Sequence, residues 1–232
     1  MTTRPLRRVV VVGTGTGVGK TWLSCALLRR LRALGHAPLG LKPIESGVSP
    51  GADTDARSLA LAAGHAEDGT AVSATTAPPY RLADPISPHL AARRAGVTIE
   101  LEAALRYVQQ QESGMAPSGR PVAVIESAGG LFSPLAPGMT NFDLARALDP
   151  AAWLLVAPDA LGVLHDVTAT LTAARALGRV PDAVALCRAR PADASTGTNA
   201  DELARLAISR KPWVFPDDGE AGLDALLRSL LD

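Results

Sequence analysis

The sequence predicts an α/β fold in which a doubly wound, mostly parallel sheet lies between two layers of helices. Three observations predict it. Short apolar runs rich in Val, Leu and Ala alternate with longer segments of helical periodicity, the pattern of right-handed βαβ crossovers. A glycine-rich turn separates the first run from the first helical segment. Polar residues gather where the runs end, and in such sheets ligands collect at the carboxyl ends of the strands.

The first strand is expected over residues 9–12, four consecutive valines whose β-branched side chains suit a pleated, buried surface. A helix follows over 20–34, with Leu23, Ala26, Leu27 and Leu31 near one face and Gly35 as its stop. The next strand is expected over 39–41 and ends in Lys42-Pro43. Helical patterns then run over 53–63, 88–94 and 100–111. A longer strand over 122–125 ends in Glu126-Ser-Ala-Gly-Gly130. A helix over 142–148 leads to a strand over 153–157, and a helix over 163–177 to a strand over 183–186. A helix over 201–208, a strand over 213–215 and a helix over 221–230 complete the series.

Composition narrows the class. The 232 residues carry 23 Lys and Arg against 23 Asp and Glu, so the formal net charge is zero. A single domain over 1–232 is expected, because no repeat or low-complexity linker interrupts the alternation. Nucleic acid and anionic membrane partners are not expected, since both need a clustered positive field. The short Arg4, Arg7, Arg8 cluster reads as a solvated chain end. The apolar run over 9–12 is too short for a secretory or membrane-spanning segment, so a cytosolic protein is expected. Cys25 and Cys187 have no CxxC spacing and read as free thiols. His36, His65, His89 and His165 show no metal-ligand spacing.

The turn Gly13-Thr-Gly-Thr-Gly-Val-Gly-Lys-Thr21 carries the most chemistry. A strand that delivers a glycine loop into a helix N-terminus aims backbone N–H groups and the helix dipole at one point, where a polyphosphate belongs. Lys20 then reaches the β- and γ-phosphates, and the Thr21 hydroxyl ligates Mg²⁺. The spacing departs from the usual phosphate loop: five residues, not four, separate Gly13 from Gly19, and Thr14 stands where a glycine is expected. Glu126 ends its strand where a carboxylate can share a hard cation with Thr21. Of the two acids at the start of the next helix, Asp53 is expected to cap it and Asp55 to reach the metal. Lys42 is expected to face the same crevice as Lys20. Two convergent lysines suggest an anionic intermediate besides the nucleotide's own phosphates.

Five stretches together resemble the dethiobiotin synthetase family: the glycine loop, Lys42-Pro-Ile-Glu-Ser-Gly47, Asp53-Thr-Asp-Ala56, Pro79-Tyr-Arg-Leu-Ala-Asp-Pro-Ile-Ser-Pro-His89 and Glu126-Ser-Ala-Gly-Gly130. That family uses the longer loop. The resemblance implies a homodimeric, three-layer P-loop NTPase-like fold and an ATP- and Mg²⁺-dependent carbon–nitrogen ligase. Its substrates would be 7,8-diaminopelargonate, CO₂ or bicarbonate, and ATP. The resemblance assigns catalysis to Lys42 and Lys20. It places ATP at Gly17, Val18, Gly19, Lys20, Thr21, Trp22, Asp55, Glu126, Ser127, Ala128, Gly129 and Pro216. The diamine falls to Ser46 and Thr16, and Mg²⁺ to Thr21, Asp55 and Glu126. The far carboxylate of the diamine is assigned to the helix start at Leu161-Gly-Val-Leu164 of a neighbouring subunit.

The chain also departs from that pattern. Gly15 and Gly17 stand where many relatives carry Asp and Glu, Cys187 where an adenine-reading asparagine is frequent, and His165 where an asparagine is usual. The alternative is a partition- or septum-type P-loop ATPase, a dimeric switch. Its signature lysine would stand at Gly15, and neither a basic patch nor an amphipathic membrane tail accompanies the loop. His89, in Ser-Pro-His, either lines the pocket or packs at a helix start, and no proton-transfer role is assigned to it.

Overall fold

The structure, a computed structural model, describes residues 5–49, 51, 53–64, 78–115, 120–189 and 191–232. Arg4 and His65 lie outside the described residues. The main sheet has six strands: β1 (Arg7–Gly13), β2 (Ala37–Leu41), β5 (Pro121–Glu126), β8 (Ala152–Asp159), β9 (Ala183–Arg188) and β10 (Trp213–Phe215). Their order is β10-β9-β8-β1-β5-β2, and every pair is parallel. The chain starts in the middle and winds both ways, so the doubly wound expectation holds.

The four valines show why this sheet needs two helical layers. Val9 and Val11 point to one face, where α1 (Lys20–Ala33), α2 (Asp55–Ala63) and α8 (Gly219–Leu231) pack on them through Leu23, Leu27, Leu59 and Leu226. Val10 and Val12 point to the other, under α4 (Leu101–Ser113), α5 (Asn141–Ala147), α6 (Val163–Ala176) and α7 (Asn199–Arg205). All four valines are buried, and each contributes roughly 1.5–3 kcal/mol of transfer free energy. Gly40 in β2 lets the layers close: a Cβ there would stand 2.6 Å from the Leu59 carbonyl oxygen.

Four short strands were not expected. β3 (Ile44–Ser46) pairs in parallel with β4 (Tyr80–Leu82), which precedes α3 (Pro88–Arg94); β6 (Pro134–Ala136) pairs antiparallel with β7 (Met139–Thr140). Runs of two or three residues carry no readable period. Three helix starts also move by two residues, α8 beginning at Gly219 rather than 221. α2 begins at Asp55 rather than 53, and α7 at Asn199 rather than 201.

Candidate active site

The carboxyl ends of the strands deliver the site. β1 runs into the glycine loop, and α1 starts at Lys20 behind Gly19, whose φ of 98° lies in the left-handed region that favours glycine. A Cβ on Gly19 would also stand 2.6 Å from the Cβ of Cys187. The loop is pinned from both sides. Thr14 N donates to Val156 O at 3.0 Å and Leu131 N to Gly13 O at 2.7 Å. The Lys20 ammonium folds back on the loop, donating to Gly15 O at 2.8 Å.

Beside the loop stands a buried charge cluster. Nζ of Lys42 donates to Oδ2 of Asp55 at 2.5 Å and to Oε1 of Glu126 at 2.7 Å, and the Thr21 hydroxyl donates to the same Glu126 oxygen at 2.8 Å. Lys20 and Lys42 are each only 6% exposed and Glu126 1%. Burial pulls Lys20 down to about 8; Glu126 and Asp55 resist that pull, whereas Lys42 adds to it. Burial also pulls on Lys42, but the carboxylates of Glu126 and Asp55 outweigh it and hold that lysine above its ordinary value. The two lysines therefore differ in kind. Lys42 is a fixed cation, and Lys20 is a cation that its surroundings under-support.

One cavity of about 690 Å³ gathers most of the expected residues. Thr16, Gly17, Gly19, Lys20, Thr21, Trp22, Lys42, Ser46, Asp55, Glu126, Ala128 and Gly129 all line it. Val18, Ser127 and Pro216 do not. Val18 is packed into the core under the loop. Ser127 is buried and its amide is spent on Val11 O at 2.9 Å. Pro216 follows β10 at the sheet edge, where the chain turns into α8.

One expectation is corrected, a second in part, and Cys187 is the free thiol expected. Asp53 does not cap α2: Thr54 does, accepting from Arg57 N, while the exposed Asp53 pairs with the Arg57 guanidinium at 2.7 Å. The helix start at residues 161–164 is open to an anion only in part. Leu161 N already donates to Asp193 Oδ2 at 2.8 Å, and Val163 N to Ala160 O. Bonds from the Ser195 hydroxyl and from the Leu161 and Ser195 amides hold the Asp193 carboxyl down at about 2, so a negative charge stands at that point. Cys187, finally, is turned onto Gly19, its Sγ 3.8 Å from Gly19 O, and burial pushes its thiol up to about 12.

Sequence reasoning missed two residues that shape the site. Glu45, buried, accepts from Asp55 N at 2.6 Å and Ala56 N at 3.3 Å, which fixes the start of α2 and aims Asp55 at Lys42. Burial raises its carboxyl, and those amide bonds and Lys42 oppose the rise. Asn141, fully buried, donates to Ala128 O at 2.5 Å and Gly130 O at 2.9 Å and so braces the loop after β5. Both lay inside stretches already singled out or next to a helix start. Their partners are distant in sequence, so nothing local announced them.

The residues fit a hard divalent cation. Oε2 of Glu126 is buried without a hydrogen-bond partner, beside the Thr21 hydroxyl and the half-exposed Asp55 carboxylate. Among the described residues no group of three or more His, Cys, Asp or Glu side chains is placed to hold a metal. Two carboxylates and a hydroxyl suit Mg²⁺, which takes few protein ligands and completes its shell from phosphates and water. No helix among the described residues is long and apolar enough to cross a membrane.

Comparison with known proteins shows the family. A family model described as an AAA domain matches residues 7–209. An ATP-dependent dethiobiotin synthetase BioD of Anaeromyxobacter sp. (strain K) is 38% identical over 213 residues, covering 90% of this chain and 91% of the relative. The protein of the same name from Caulobacter vibrioides (strain NA1000 / CB15N) is 37% identical over 175 residues, covering 75% and 76%. The signal recognition particle receptor FtsY of Elizabethkingia anophelis, solved with GDP, has a TM-score of 0.56 at 14% identity, over 100% of this chain and 66% of that one. A DUF1611 family protein of Anabaena variabilis has a TM-score of 0.53 at 20% identity, over 99% of this chain and 58% of that one. The two structures share the fold alone. On the identity and coverage of its curated relatives, and with the glycine loop, Lys42, Asp55 and Glu126 gathered at one strand edge, the chain belongs to the dethiobiotin synthetase family.

Proposed function

We propose that this enzyme joins CO₂ to the two amines of 7,8-diaminopelargonate at the expense of ATP, closing the cyclic urea of dethiobiotin and releasing ADP and phosphate. The observation that carries this reading is one cavity that holds two buried lysines, Lys42 paired with Glu126 and Asp55 and Lys20 folded on the glycine loop. A carbamate formed on one amine is an anion, and it must approach the γ-phosphate, which is also anionic. The barrier falls mainly through alignment and charge neutralisation.

Each residue has a task in that scheme. The amides of residues 17–21 and Lys20 hold the triphosphate, whose charge restores the support that burial denies the ammonium. Thr21, Asp55 and Glu126 would hold Mg²⁺, which supplies charge to the phosphate oxygens when bound. Lys42 donates to the carbamate and to the transferring phosphoryl group, and it must leave one of its two carboxylates to do so. Ser46 and Thr16, on the cavity wall, orient the diamine. The second amine then attacks the carbamic-phosphoric anhydride, its N–C bond forming as phosphate departs.

The same reading takes residues 1–232 as one cytoplasmic domain working as a homodimer, a second copy covering apolar surface such as the exposed Leu161. The test is ADP release with the diamine and bicarbonate omitted in turn. ADP should appear only when both are present, and release indifferent to them would falsify the synthetase reading.

A further inference from the structure

Ser87 and His89 precede and open α3, and nothing in the scheme above uses them. A serine at this N-cap position ordinarily accepts from a backbone amide of the first helical turn. Ser87 does not: its side chain makes no cap bond, and its Oγ stands 2.9 Å from Nδ1 of His89. Ser87 lines the cavity that holds Lys20, Lys42 and Ser46, while His89 stands behind it, outside the lining and half-buried. The pair therefore leads from the cavity wall outward.

The surroundings leave this pair available for proton transfer. α3 packs on β3, β4 and β6. β3 contributes Glu45, whose oxygens are held by the α2 amides, and β4 contributes Arg81. Asp84, in the turn before α3, is engaged by Arg94, and Arg93 completes the charges of the helix. β6 carries no ionisable side chain. Within the cavity the two lysines are donors, Asp55 and Oε1 of Glu126 are held by Lys42 and Thr21, and Oε2 of Glu126 belongs to the cation seat. An imidazole reached through a hydroxyl is the neutral acceptor that remains, and histidine is the side chain suited to general-base work near neutral pH.

We propose that Ser87 touches the reacting amine of the diamine and that His89, acting through it, carries away the proton that the amine must lose before the carbamate can form. The inference rests on the synthetase reading. An amine arriving as ammonium must lose a proton before it can attack. One N–H bond breaks, its electron pair staying on nitrogen; the proton passes to Ser87 Oγ as the hydroxyl's own proton passes to Nδ1 of His89. The products are a neutral amine, an intact serine and an imidazolium that returns a proton to water through Nε2. The amine lone pair then forms the N–C bond to CO₂, and the remaining proton on the now cationic nitrogen passes to water, giving the carbamate. The relay needs no oxidant, reductant or further reactant.

The experiment is the pH dependence of diamine- and bicarbonate-dependent ADP release in the wild type, Ser87→Ala, His89→Gln and His89→Gly, with ATP affinity measured beside it. In the wild type kcat should fall on the acid side through one ionisation. Both Ser87→Ala and His89→Gln should lose that limb and about 100-fold in kcat, with ATP affinity unchanged. Added imidazole should restore part of the loss in His89→Gly. Because Ser87 makes no cap bond, Ser87→Ala keeps the test alive if the His89 variants fail to fold. Variants with the wild-type pH profile, or a loss that appears equally in ATP affinity, overturn the relay alone. Wild-type release indifferent to the diamine overturns the synthetase reading, and the relay with it.

Discussion

Nζ of Lys42 lies 2.7 Å from Oε1 of Glu126, and both groups are nearly sealed from water. A buried pair like this is costly to break, because removing one partner strands the other's charge. Lys42→Ala should therefore lose about 3–5 kcal/mol of stability in urea unfolding. Its catalytic signature should be separate: kcat reduced about 10²–10³-fold with ATP affinity retained. Lys20→Ala should instead lose triphosphate binding. Equal loss of nucleotide affinity in the two variants would contradict the division of labour between them.

Lys20 makes nucleotide binding sensitive to pH. Burial lowers its folded value to about 8, from 10.5 in the unfolded chain. Between those values the unfolded chain holds a proton that the folded chain has lost, so stability rises with pH across that window. Below about pH 8 the charged ammonium costs the ligand-free fold on the order of 3 kcal/mol. A bound triphosphate reverses the balance. Titration calorimetry of ATP at pH 8.5–9 (roughly the middle of that window), in buffers of different ionisation enthalpy, should show proton uptake that fades toward about pH 7, and a binding heat independent of the buffer in that window would contradict it.

Gly19 admits no side chain. Gly19→Ala would combine a left-handed φ of 98° with a contact of 2.6 Å to the Cys187 Cβ. The variant should bind ATP at least about 100-fold more weakly, since the amides of the helix start would move. Cys187→Ala should not rescue it, because the clash is with Cβ and the φ strain persists. Rescue of ATP affinity by that second change would show that the loop tolerates the shift.

Asn141 supports the opposite wall of the cavity through its bonds to Ala128 O and Gly130 O. Asn141→Ala removes the donor from Ala128 O and leaves Gly130 O with the Ser133 amide alone, a loss of about 1–3 kcal/mol in unfolding free energy. Asn141→Asp should lose more, because it turns a carboxylate oxygen toward them. Nucleotide affinity should fall in both, as Gly129 lines the cavity on the same loop. Unchanged stability in both variants would remove Asn141 from the account.

The sequence carried the frame of this molecule because its signals are local. Four valines in a row, a glycine loop and a helix pattern after it need no knowledge of the rest of the chain. Lys42 and Glu126 were readable for a related reason: each ends or follows a strand that delivers it to the same edge, while Asp55 stood at the start of a helical pattern. The remainder depends on contacts between distant segments. Glu45 caps a helix that starts ten residues later, Asn141 reaches back across its own loop, and Cys187 meets Gly19 only because β9 ends beside the phosphate loop. The cap of α2 was misassigned by one residue because Asp53 and Thr54 are both capping types, and only the backbone decides between them.

The central claim is that one carbon from bicarbonate ends in a cyclic urea formed at the expense of ATP. Incubating the enzyme with ATP, Mg²⁺, 7,8-diaminopelargonate and ¹³C-bicarbonate, followed by mass spectrometry of the small molecules, tests it most directly. The account predicts dethiobiotin carrying a single ¹³C, in amounts equal to the ADP released. ADP release without a labelled cyclic product would contradict it.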